Sequence, residues 1–284
     1  MTPQRLQTAA VALLLVTVAL AGCKVAIGSP SSATGLQSGL ERSLAEFAVL
    51  DLRSGAVVWR ALVPDLTTNP AYTNTLMVFR RLQQGDTTIG SAPSVVWRQS
   101  DETLRTQTVP GAFLGVFEVS RAQWARLGGG TPTRAVSPVV LAGGGAEDLP
   151  VCGVSLTEVQ LTLTSWSYAG RLILPTHEQW ERGCRAGSNA RFAWGDSTDL
   201  ATVSRYAVVS QTAVTAGPDP IESHEPNAWG FYNMHGNVWE WVTEGQLRGG
   251  SWHDGLPLAR SANQLVLETD VPHALAGVRL VYAP

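Results

Sequence analysis

Lysine is all but missing from this 284-residue chain: Lys24 is the only one, and arginine supplies the other basic residues. Charge of either sign is sparse, at 15% of residues, and the formal net charge is −3. Such a surface offers no basic face to phosphates, which excludes nucleic acid as a partner. Several catalytic signatures are absent too. There is no GxSxG elbow for a serine hydrolase and no GxxxxGK phosphate loop. The five histidines, His177, His224, His235, His253 and His273, form no HxxxH pair. No internal repeat is evident. Apolar residues make up 44% of the chain, ample for one large domain or two small ones. Ten Trp and 28 Gly are the unusual counts, and both favour a loop-rich fold pinned by aromatic side chains.

The N-terminus carries the plainest signal. A positive "MTPQR" precedes the apolar run of residues 6–22, and "LAGC" ends at Cys23. This resembles a bacterial lipoprotein signal, which implies cleavage before Cys23 and lipidation of its thiol. The competing reading, a membrane-spanning helix, wants about 20 apolar residues, and the run is short for it. The expectation is a signal peptide over 1–22 and a lipid that anchors the chain to a membrane in the bacterial cell envelope. Lys24 after the Cys favours the outer membrane over the inner. In an oxidising compartment the remaining Cys152 and Cys184 are either a disulfide or two buried thiols.

Residues 23–43, rich in Gly and Ser, read as a flexible tether. Two apolar runs around "RSG" predict a β-hairpin within an N-terminal extension, residues 44–75. Short strands, Gly-rich loops and a few helices follow over 76–284, with "GGG" at 128–130 and 143–145. Ser120, Ser155 and Thr176 each precede Gln or Glu by three residues. That is the capping-box spacing, and it starts three short helices with Trp124, Val159 and Trp180 turned to a core.

Motifs of greater specificity occur in order: "FLGVFEVSRAQW", "PVCGVSLTEV", "GRLILPTHEQWERGCRAG", "FAWGD", "PNAWGFYNMHGNVWEW", "LRGGSW" and "RSAN…GVRLV". Together, over residues 77–282, they resemble the formylglycine-generating enzyme family, or sulfatase-modifying factor domain. The resemblance implies an α+β, C-type-lectin-like fold with much irregular structure. The founding activity in that family oxidises a client cysteine with O2 and copper, held by two cysteines just after "RGGS". Here "RGGSWHDGLPLARSAN", residues 248–263, has no Cys. Asp254 falls near the first cysteine position, so no copper is expected, because soft copper(I) calls for thiolates.

Calcium-binding relatives suggest a second metal. Aligned with them, Asn233, the carbonyls of Gly236 and Val238, and Glu240 are candidate calcium ligands, oxygens from a tight loop around a hard cation. The alternative for Glu240 is a buried carboxylate bonded to backbone N–H groups or Arg248. Trp239 and Trp241 are expected in the core with their indole N–H groups satisfied internally. Beyond "RGGS", Trp252, His253, Asp254, Leu256, Leu265, Val266, Leu267, His273 and Leu275 form a candidate binding surface, unexpectedly apolar for the family. The leading reading is a lipid-anchored, non-catalytic protein that binds or scaffolds an unidentified protein or ligand. Two alternatives stand beside it. One is a variable ligand-binding protein like those of diversity-generating retroelements; the other is an oxidoreductase of the family with altered chemistry.

Overall fold

The expected hairpin is present: β1 (Phe47–Asp51) pairs antiparallel with β2 (Val57–Arg60). β1 also pairs along its whole length with β3 (Leu76–Leu82), so the hairpin is the first third of the main sheet. A computed structural model describes residues 39–132, 147–213 and 217–284. The signal, Cys23, most of the tether and the glycines at 143–145 lie outside the described residues. The last tether residues, 39–43, belong to a helical turn over 39–44.

The main sheet has six strands in the order β2-β1-β3-β6-β14-β7, all antiparallel, with β6 (Ala112–Gly115), β7 (Arg171–Ile173) and β14 (Val281–Ala283). Alternation in β1 explains how it is buried on both faces. Ala48 and Leu50 join one apolar cluster, with Phe79, Trp239 and Trp241. Phe47 and Val49 join another, with Val78, Phe117 and Tyr232. A four-stranded sheet, ordered β12-β11-β10-β13, is built from β10 (Trp239–Trp241), β11 (Gln246–Arg248), β12 (Gln264–Val266) and β13 (Ala276–Gly277). Two small ribbons, β4–β5 (Gly85–Ile89, Arg105–Val109) and the parallel β8–β9 (Ala207–Val208, His235–Gly236), complete the strands.

Helices are short. α1 (Ala71–Asn74) and α5 (Leu200–Tyr206) flank the three that the capping boxes predict. Those are α2 (Arg121–Arg126), α3 (Leu156–Thr164) and α4 (His177–Arg185), and each has both reciprocal box bonds formed. Trp124, Val159 and Trp180 are all buried. The N-cap hydroxyl takes an orphan backbone N–H while an apolar residue one turn in fixes the helix to the core. α4 lies deepest: Trp180, Glu181, Arg182, Cys184 and Arg185 are all buried. His177, which its place at a helix start suggests is exposed, is half-buried instead. Its imidazole lies 2.7 Å from Glu178, and burial lowers its pKa.

Candidate functional site

The segment from Asn233 to Trp241 is buried along its whole length. Asn233 and Asn237 adopt left-handed backbone angles, φ 52° and 63°. Gly236, at φ 95°, passes so close to β8 that a Cβ would lie 2.0 Å from the Val208 carbonyl oxygen. Glycine is therefore required there by strand packing. Both tryptophans are buried with their N–H groups satisfied. Trp241 Nε1 donates to Val154 O (3.1 Å), and Trp239 Nε1 to Asp254 Oδ2 (2.8 Å).

Glu240 is the hub of this segment. Arg279 donates from Nη2 to Oε1 (2.8 Å) and from Nε to Oε2 (3.0 Å), and Trp180 Nε1 donates to Oε2 (2.5 Å). Nε also reaches Oε1 at 3.2 Å. The partner is thus Arg279, not Arg248. The other guanidinium hydrogens go to the carbonyls of Gly115, Val116 and Tyr232. Such satisfaction of the donors offsets the cost of burying an ion pair. This bears directly on calcium. The Glu240 carboxylate is saturated by cationic and indole donors, so a divalent ion would have to displace a guanidinium. Asn233, Gly236, Val238 and Glu240 therefore do not fit calcium as a ligand set.

Asn233 turns elsewhere. Its Nδ2 donates to Glu118 Oε2 (3.0 Å) and to Ile221 O (3.1 Å), while Asn233 Oδ1 and Glu118 Oε1 are buried without partners. Burial pushes the Glu118 carboxyl up to about 8, against the pull of Arg279, so it is protonated at neutral pH. Three further ion pairs, on two glutamates, are buried among the described residues. Glu181 accepts from Arg185 and Arg248, and Glu102 from both terminal nitrogens of Arg260.

After the "RGGS" turn, Asp254 faces inward. Besides the Trp239 indole it accepts from Ser251 Oγ (2.5 Å). His253 is exposed and stacks edge-on against Trp252, 5.4 Å between ring centres. Adjacent in sequence, His253 and Asp254 therefore point to different environments and make no dyad. The expected apolar surface is largely consumed by packing. Leu256 is buried beside Phe192 and Val209. Leu265, Leu267 and Leu275 are half-buried against the main core, and His273 is half-buried. Trp252 is 8% exposed, and its Nε1 is buried without a partner. Of the expected set only His253 and Val266 are exposed; Val271, outside that set, is exposed too.

Cys152 and Cys184 are both buried and free, so the candidate disulfide is not formed. Cys184 Sγ lies 3.5 Å from Met234 O and 3.6 Å from His235 Nε2. The Ala193 N–H donates to His235 Nε2 (3.1 Å), which leaves Nδ1–H to donate to Ala259 O (2.7 Å). Burial drives the thiol up to about 12 and the imidazole down to about 4. Both are neutral, and the pair is a packing contact rather than a thiolate–imidazolium nucleophile.

Residues 64–284 match the family described as the sulfatase-modifying factor enzyme 1-like domain. Over 105 residues the chain is 35% identical to the formylglycine-generating enzyme of Mus musculus, covering 34% of this chain and 27% of that enzyme. Over 119 residues it is 30% identical to the inactive C-alpha-formylglycine-generating enzyme 2 of the same species, covering 34% and 39%. The chain thus spans well under half the length of these relatives. Among solved structures it resembles PvdO from Pseudomonas aeruginosa, with a TM-score of 0.61 and 20% identity, over 73% of this chain and 94% of that one. That likeness establishes the mixed α/β fold.

Proposed function

We propose that this chain, which belongs to the sulfatase-modifying factor family, is a non-catalytic member that binds or scaffolds a protein or ligand while lipid-anchored through Cys23 in the bacterial envelope. Asp254 carries this reading. It stands near the place where the family resemblance puts the first copper cysteine, and its carboxylate is already committed to Trp239 and Ser251. Copper(I) needs soft donors, and residues 248–263 contain no cysteine. The residues present do not fit copper. The exposed members of the expected surface, His253 and Val266, are the proposed contact points.

Two measurements test the reading. Copper-loaded, desalted full-length protein is expected to retain no stoichiometric copper and to leave a cysteine-containing sulfatase-motif peptide unoxidised. Retained copper with conversion of the peptide would sink it. For the anchor, an alkyne-tagged fatty acid fed to expressing cells is expected to label the protein and not its Cys23→Ser variant, and equal labelling would refute lipidation at Cys23.

A further inference from the structure

Strand β7 ends the main sheet. On one side Arg171, Leu172 and Ile173 pair with Ala283, Tyr282 and Val281 of β14. On the other side no group of the described residues bonds to its backbone. The outward N–H and C=O groups of β7 therefore stand open, and an open strand edge is a template for another strand. Three residues give about 10 Å of such an edge, at about 3.3 Å each.

A groove of about 630 Å³ follows this edge. Arg171, Leu172, Ile173 and Leu174 all line it, together with Leu163 of α3 and Trp166 just beyond that helix. Consecutive residues of a strand point to opposite faces, so a groove that touches all four runs along the edge and not over one face of the sheet. Leu172 and Leu174 turn to the main core, against which Leu163 and Trp166 also pack. Ile173 packs on the other face, against the cluster around Trp180, and by alternation Arg171 shares that face. Arg171 is exposed, and its guanidinium has no ion pair or hydrogen bond among the described residues. No acidic side chain lines the groove. What covers such an edge must bring its own row of N–H and C=O groups, which is an extended chain. Its side chains would meet two environments in alternation. One set would lie over Leu163 and Trp166. The other would stand beside Arg171, since directly opposed residues of paired strands have Cβ atoms about 4.5–5.5 Å apart.

We propose that the β7 edge binds an extended segment of a partner protein in which apolar residues alternate with acidic ones, added to the main sheet as a further strand. The apolar residues pack over Leu163 and Trp166, and an acidic one pairs with Arg171. The groove shares no residue with the contact points His253 and Val266, and it rests on neither the copper nor the lipid reading. A copper-active chain would sink that reading and leave this one standing. The full-length chain is titrated with fluorescein-labelled Val-Glu-Val-Glu-Val-amide and followed by anisotropy. Saturable binding is expected, at least ten-fold tighter than that of Val-Lys-Val-Lys-Val-amide, and weakening with salt as an ionic contact does. Arg171→Glu, at an exposed position, should reverse the preference. Only alternate N–H groups of a strand face its neighbour. N-methylating the glutamates and N-methylating the valines should therefore differ in effect by at least ten-fold. Equal losses from the two sets would mean binding without strand pairing and would overturn the proposal. So would the absence of saturable binding, equal affinity for the lysine peptide, or indifference to Arg171→Glu.

Discussion

Glu118 is buried beside Asn233 with one carboxyl oxygen unpartnered. Its pKa in the folded protein, about 8, lies above the ordinary value of 4.5. Below pH 4.5 both folded and unfolded chains hold the proton, and nothing is lost. As pH rises from 4.5 towards 8 only the unfolded chain releases it, so this group progressively destabilises the fold. Glu118→Gln keeps an oxygen for the Asn233 amide and cannot ionise. Its stability is expected to match the parent at pH 4 and exceed it by about 1–3 kcal/mol at pH 8, read from urea melts. A constant difference across that range would refute the assignment. The thiols give a second residue-level expectation. In a Cys23→Ser protein, iodoacetamide should label neither Cys152 nor Cys184 until denaturant is added, because burial raises both thiols. Native labelling of Cys184 would contradict its packing. At this scale the sequence was half readable. Two tryptophans around a glutamate announce a buried knot with satisfied indoles. The identity of the glutamate's partner does not follow, because Arg279 comes 39 residues later and only tertiary packing brings it there. The available signal was a lone charge inside an apolar run, "VFEV" for Glu118 and "GVRLV" for Arg279.

At the scale of elements, the capping boxes were legible because their chemistry is local: hydroxyl, N3 side chain and N4 anchor all lie within five residues. The three boxes should still differ in worth. Ser155 is buried, but its hydroxyl bonds only to Glu158 of its own box, so Ser155→Ala is expected to cost about 1 kcal/mol. Ser120 is fully buried, and its hydroxyl also donates to Thr73 O. Ser120→Ala leaves that carbonyl without its donor and should cost about 2–3 kcal/mol. Equal losses in chemical denaturation would show that the Thr73 bond carries nothing. The two- and three-residue strands were not legible. A run such as His235–Gly236 is too short to display a period of two, and it is a strand only because β8 lies beside it. The apolar C-terminal loops misled for a related reason. Leu265 and Leu267 look like a binding patch in sequence, yet β12 and the residue after it turn both against the core and leave Val266 outside.

For the whole molecule, the family match begins at residue 64, after the β1–β2 hairpin. The sheet does not respect that boundary. β1 supplies Ala48 and Leu50 to one core and Phe47 and Val49 to another, and fully burying each large apolar side chain stabilises by about 1.5–3 kcal/mol. A chain trimmed to residues 64–284 is expected to lose most of its stability, with a large drop in melting temperature by circular dichroism. A trimmed chain that melts like the parent would show the hairpin to be dispensable. The hairpin has a second consequence, which concerns other molecules more than this one. Without β1, the seven residues of β3 would present a long, apolar, unpaired margin, and such a margin templates the addition of identical strands. The hairpin therefore also acts as a guard against self-assembly. Removing it should produce oligomers that grow with time where the full chain shows no growth, visible by light scattering before any unfolding transition is reached.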